Sequence, residues 1–201
     1  MLIHLSTEYE DNLICNGYSP VAGVDEVGRG PLAGPVVACA LILPTGIIID
    51  GVNDSKKLTA KKREALDKII KAAAISYAFG IVDEKTIDEI NILQATLLAM
   101  KNAIEGLTQQ PSAVLVDGTT PPKILQHTQC LPKGDAKSQL IAAASILAKV
   151  KRDAIMDELH NQYPQYGFNA HKGYGTAKHS QAINEHGLTP HHRRSFCRKF
   201  T

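Results

Sequence analysis

VAGVDEVGRGPLAGPVVACALILP, residues 21–44, sets two apolar runs on either side of an acidic pair and a loop of glycines, prolines and one arginine. Apolar runs bounded by Gly and Pro read as buried strands, and the piece between them as a tight connection, so a hairpin is expected. In a strand the adjacent Asp25 and Glu26 point to opposite faces. They converge only if the strand stops there and the backbone turns, which Gly28 and Gly30 permit. Burying two acids beside a loop stripped of side chains is costly unless a cation or a proton compensates them. Metal binding is the leading reading of this stretch.

Outward from the hairpin, residues 54–59 lead into a helix capped by Thr59, with Leu66, Ile69, Ile70 and Ala73 on one face. Residues 75–82 read as a third strand. Asp83 or Thr86 opens a short helical turn, and a longer helix follows over residues 92–107. Residues 113–116 are wholly apolar, hence a buried strand, and end at Asp117-Gly118. Another short strand is expected near residues 129–131. From Lys137 to about Tyr163 there is no Gly or Pro, and Leu140, Ile141, Ala144, Leu147 and Ala148 recur at helical spacing. That predicts a long, partly buried helix, with one more at residues 176–185. Residues 1–20 are weakly patterned and read as a loose entry segment. The order predicts an α/β domain with a mixed sheet over residues 1–165, and a small helical appendage over residues 166–201.

The chain has 201 residues, 44% of them hydrophobic, enough for one solid core. No window approaches a membrane span, and residues 1–20 carry Glu8, Glu10 and Asp11 rather than a basic-then-apolar leader. A cytoplasmic protein with no membrane partner is expected. Cys15, Cys39, Cys130 and Cys197 are widely separated without a C-x-x-C pair and read as reduced thiols. From His171 onward six Lys/Arg face Glu185 alone, a local +5 in a chain of +2, so the other 170 residues sum to −3. A basic tail on a mildly acidic body suggests a polyanionic partner, although such a tail is also the composition of an ordinary solvated face.

Asp117 repeats the logic of Asp25: a carboxylate at the exit of an apolar strand, followed by Gly. Ligands gather at the carboxyl ends of strands in open α/β sheets. Asp135 stands just ahead of the long helix, where ligand and helix cap are both open readings. All-oxygen ligation without His or Cys at zinc spacing points to Mg²⁺ or Mn²⁺ and to phosphate chemistry. Gly28-x-Gly30 is not a dinucleotide fingerprint, because a second strand rather than a helix follows, and no P-loop Gly-Lys-Ser/Thr is present. What remains is a loop whose bare amides and single Arg29 can approach a sugar-phosphate backbone closely. Tyr174, flanked by Gly173 and Gly175, is either a half-buried packing residue or a ring that stacks on a nucleic acid. His179, His186 and the pair His191-His192 lack a third ligand at good spacing and are expected at the surface.

The block GVDEVGRGPLAGPVV, residues 23–37, resembles the signature of ribonuclease HII, the type 2 ribonuclease H. Four further stretches agree in order: DSKKL at 54–58, VDG at 116–118, KGD at 133–135 running on to IAAASILAKV at 141–150, and KGYGT at 172–176. The resemblance extends from about residue 21 to the C-terminus. It implies the ribonuclease H fold, with a mixed five-stranded sheet flanked by helices and a C-terminal helical, basic substrate-binding region. It implies a metal-dependent endoribonuclease that hydrolyses the RNA strand of RNA–DNA hybrids. Such an enzyme also cuts at single ribonucleotides in duplex DNA, leaving 5′-phosphate and 3′-hydroxyl ends, in ribonucleotide excision repair. Asp25, Glu26, Asp117 and Asp135 resemble its metal-binding catalytic carboxylates, holding Mn²⁺ or Mg²⁺. Asp135 either serves a second ion or only shapes the site. Gly28-Arg29-Gly30 resembles the loop whose backbone reads the 2′-hydroxyl, Tyr174 the ring on the sugar at the RNA-to-DNA junction, and Lys56 a phosphate contact. A monomer is expected.

Two other classes compete. In a non-catalytic hybrid-binding module the carboxylates would be structural, yet a binder of polyanions gains nothing from acids at three separated places without metal. A small-molecule phosphatase on a related sheet would turn over a chromogenic phosphate ester and ignore nucleic acid.

Overall fold

The expected hairpin forms: β1 (Val21–Val27) pairs antiparallel with β2 (Val36–Ile42), from Gly23 opposite Leu41 to Val27 opposite Val37. The structure, a computed structural model, describes residues 5–200. On the far edge of β2 lies β3 (Ser76–Val82), also antiparallel. On the other side of β1, β4 (Ala113–Asp117) and then β5 (His127–Leu131) join in parallel. The sheet is thus mixed and five-stranded, in the order β3-β2-β1-β4-β5. Every residue of β2 is buried, because helices cover both faces.

Alternation along the strands divides the core in two. One face sends Cys39, Leu41 and Leu115 against α2 (Ala60–Ala73) and α4 (Gln139–Gln162). The other sends Ala38, Ala40 and Val114 against α3 (Glu84–Glu105). Thr59 caps α2 as the sequence predicts, its Oγ1 accepting from Lys62 N at 3.3 Å. Ile69, expected on the buried face of α2, is exposed, whereas Leu66 and Ile70 enter the core. The expected break between two helical pieces appears as a kink inside α3 at Asn91, with φ 68°. Its Oδ1 accepts from Leu93 N and Gln94 N and so restarts the helix.

The approach of α3 to β3 is closer than any side chain allows. A Cβ on Gly80 would lie 1.9 Å from the carbonyl oxygen of Ala99. Gly80→Ala is therefore expected to destabilise the protein by about 3 kcal/mol through forced displacement of α3, read as a lowered urea midpoint at unchanged slope. A midpoint within error of wild type would show that the helix can shift freely.

Residues 8–15 are not a loose entry. They form α1 (Glu8–Cys15), which buries Leu13 in the core. Glu10 Oε1 accepts from Ser138 Oγ at 2.7 Å and from Leu140 N at 3.0 Å, satisfying the first turn of α4. That anchor joins positions far apart in the chain, so no local pattern carries it. Beyond α4, α5 (Phe168–His171) and α6 (Ala177–His186) build a third cluster on Ala33, Met156 and Leu159. Residues 166–200 therefore pack directly on the loop between β1 and β2.

Candidate active site

β1 and β4 run parallel, and their pairing ends at Val24 opposite Val116. The next residues are Asp25 and Asp117, so the register itself delivers two acids to the same end of adjacent strands. β1 does not stop at Glu26 as the sequence reading requires; it stays paired with β2 through Val27. The acids converge because the β1–β4 edge opens first, leaving Glu26 free to reach round. One carboxylate oxygen from each of Asp25, Glu26 and Asp117 lies within 4.8 Å of the others.

Asp25 is buried, and burial first, then Glu26 and Asp117, push its carboxyl well above the usual range. Burial and then Asp117 raise Glu26 too, against the pull of Arg29, whose Nη1 lies 3.4 Å from Glu26 Oε1. Neutral donors hold the acids in place. Glu26 N donates to Asp25 Oδ1 at 2.7 Å, and Ser145, which lowers the Asp25 carboxyl, is bonded to Ser55 at 2.9 Å. Gly134 N donates to Asp117 Oδ1 at 2.6 Å. Three crowded carboxylates with one partly exposed arginine are under-compensated. An all-oxygen set at this spacing fits a hard divalent cation.

Asp135 is buried in the turn Gly134–Ala136 and is not the cap of α4. That role belongs to Ser138, whose Oγ accepts from Ile141 N. Asp135 lies outside the three-acid group, yet burial and Asp117 raise its carboxyl. Its Oδ2 stands 3.7 Å from Lys56 Nζ. Burial depresses the exposed Lys56 ammonium, but Asp135, Asp25, Asp54 and Asp117 together outweigh that and raise it. Lys56 thus sits exposed at the edge of a negative basin.

The loop after β1 is gripped from beneath by two wholly buried arginines. Arg193 donates from Nη1 to Arg29 O at 3.0 Å, from Nη2 to Gly28 O at 2.6 Å, and from Nε to Gly34 O at 3.0 Å. Arg152 donates to the carbonyls of Pro35, Ala33 and Lys172. Gly28 has φ 95°, and a Cβ there would strike Arg152 Nε at 2.2 Å. Only glycine serves at this position. Gly30, unlike Gly28, has ordinary φ, and a Cβ there would meet Tyr174 Cε1 at 3.6 Å, an ordinary contact, so the turn does not require glycine at this position. Tyr174 itself is half-exposed above the loop.

Sequence reasoning missed several of these residues. Arg193, one of the six cations of the basic C-terminal run that reads as a polyanion contact or a solvated face, is buried. Arg152 lies on the helical stripe of Ala148 and Met156, a signal that was present. His179 and His192, expected at the surface, are 0% and 2% exposed. They fill the space between α6, α5 and the 189–193 segment, which a one-dimensional spacing cannot reveal.

The sequence model of the family described as Ribonuclease HII matches residues 22–199. The ribonuclease HII of Caldicellulosiruptor saccharolyticus is 54% identical over 191 residues, which is 95% of this chain and 93% of that one. Among solved structures, the ribonuclease H2 of Pyrococcus horikoshii OT3 is 30% identical with a TM-score of 0.72, over 90% of this chain and 96% of that one. Bst-RNase HIII, solved in complex with Mn²⁺, shares the fold at 20% identity and a TM-score of 0.64, over 83% of this chain and 62% of that one. With a mixed sheet that brings strand-end acids together, and with identity above half across nearly the whole chain, the protein belongs to the ribonuclease HII family, endoribonucleases that hydrolyse the RNA of RNA–DNA hybrids and cut at single ribonucleotides in duplex DNA.

Proposed function

We propose that Asp25, Glu26 and Asp117 hold the divalent ion at which the RNA phosphodiester is cut, with Asp135 serving a second ion beside them. The observation that carries this reading is the meeting of three acids within 4.8 Å at a buried strand end, next to a turn of bare amides. Mn²⁺ or Mg²⁺ suits the oxygen donors, and when bound it supplies an activated water and charge stabilisation at the leaving oxygen. The chain's own residues do the rest. The backbone of Gly28-Arg29-Gly30, held rigid by Arg193, senses the 2′-hydroxyl, and Tyr174 packs on the sugar at the RNA-to-DNA junction. Lys56 contacts a phosphate. Residues 1–165 form the catalytic body and 166–201 the substrate-binding region, whose exposed Lys178, Arg194 and Lys199 hold the duplex without reading bases. The products carry 5′-phosphate and 3′-hydroxyl ends. The protein acts as a cytoplasmic monomer in removal of ribonucleotides from DNA.

Cleavage-site mapping on a labelled duplex with one ribonucleotide tests this, run with Mn²⁺, Mg²⁺ or EDTA. One cut at the ribonucleotide, lost in EDTA, is expected. Cutting that survives EDTA, or that ignores the ribonucleotide, overturns the reading.

A further inference from the structure

The turn at Gly28-Arg29-Gly30 and the Tyr174 ring are far apart in the chain, yet recognition of one hydroxyl at a sugar junction needs their spacing held to a fraction of an ångström. Both are tied to the same segment, residues 189–193. Arg193 grips the turn through the carbonyls of Gly28 and Arg29. The adjacent His192 reaches the other half through a second histidine.

The path runs in one direction. Thr189 N donates to His192 Nδ1 at 2.9 Å, so that nitrogen carries no proton and Nε2 does. His192 Nε2 lies 3.0 Å from His179 Nε2 and donates to it. The proton of His179 is therefore on Nδ1, which donates to the Tyr174 carbonyl at 2.9 Å. These tautomers follow from the hydrogen-bond network. Each ring holds a single proton, and a second would set two N–H groups against one another.

The surroundings keep the pair neutral. His171 stacks on His179 with centroids 4.4 Å apart, and the rings of Tyr166 and Phe168 flank His192. His191 is next in the chain and faces Glu84 at 3.6 Å. Burial, then His179, pushes His192 down to about 4, and burial lowers His179 as well. The Tyr174 ring is half-exposed, so its main chain is what the fold grips, beside the ties of Gly173 O to Leu32 N and of Lys172 O to Arg152. The Tyr174 N–H donates to His171 O at 2.9 Å, and its carbonyl accepts from Thr176 N as well as from His179.

We infer that His179 and His192 are positioning residues for recognition of the ribose-to-deoxyribose junction: their proton-ordered pair sets Tyr174 at a fixed distance from the turn that Arg193 holds. The inference rests on the reading of Tyr174 as the ring that packs on the sugar.

The test is equilibrium binding of the full chain, in EDTA so that nothing is cut, to two duplexes of one sequence. One contains a single ribonucleotide and the other is all DNA; the ratio of their affinities is the readout. His179→Leu removes the donor to Tyr174 O and is expected to lower the ratio about tenfold, the scale of one buried hydrogen bond. His179→Asn, whose Nδ2 can take the place of Nδ1, should restore most of it, a rescue that a bulk packing role would not give. Tyr174→Ala separates the layers. If it leaves the ratio unchanged, the sugar-packing reading fails and this inference with it. If it collapses the ratio while a folded His179→Leu keeps the wild-type value, the histidine inference alone is overturned. Should His179→Leu not fold, the ¹⁵N imidazole spectrum of the wild type decides. Nδ1–H on His179 and Nε2–H on His192 support the pair, and any other protonation refutes it.

Discussion

Asp25→Asn is expected to lose turnover on an RNA–DNA hybrid by about 10³-fold or more, the scale of several kcal/mol of transition-state stabilisation, while its metal-free form should be more stable than the wild type. Both halves come from the same crowding. Asp25 is buried against Glu26 and Asp117, which raises its carboxyl well above the ordinary range. A carboxyl raised by folding binds its proton more tightly in the native state than in the unfolded chain. In metal-free protein its contribution to stability therefore falls as pH rises through the raised value, and recovers in acid. Asparagine keeps the shape and removes the charge, so the variant melts higher at neutral pH, and the gap narrows on acidification. Adding Mn²⁺ or Mg²⁺ should raise the melting temperature of wild type more than that of the variant. Thermal melts with and without metal, at neutral and acid pH, check this beside a cleavage assay. Wild-type turnover in the variant would remove Asp25 from the reaction.

Arg193→Met is expected to cost about 3–5 kcal/mol of stability, as breaking a buried charge-assisted network does. The guanidinium is wholly buried, and burial, then Arg152, pulls it down to about 10. It stays charged, and its fork fits the carbonyls of Gly28, Arg29 and Gly34. Methionine fills the volume but leaves those oxygens without a donor in a dry place. Arg193→Lys should recover only part of the loss, because an ammonium cannot present the planar fork. Urea titration measures the stability change. A loss below about 1 kcal/mol for Arg193→Met would mean that water reaches the loop and replaces the arginine.

Local chemistry carried much of this protein. The apolar runs around Asp25 and before Asp117 identified β1, β2 and β4, since a strand buried on both faces must be apolar throughout. Thr59, Asp83 and Thr176 cap their helices as their types suggest, because a short side chain bonding a nearby N–H is a local event. Three of the acids could be picked out as strand-end residues for the same reason. Their meeting could not, because it depends on the parallel register of β1 with β4 and on that edge opening before the β1–β2 edge does.

Roles set by distant partners were decided by tertiary structure alone. Glu10 is a helix-capping acid only because α1 lies against the start of α4. Arg193, His179 and His192 have the composition of a solvated basic tail, and only the packing of residues 166–200 on the β1–β2 loop turns them inward. Sequence alone determined which side chains can bond their own neighbours and which runs must be buried. The fold decided which polar groups lose water, since that depends on what covers them, and coverage here comes from segments more than a hundred residues away.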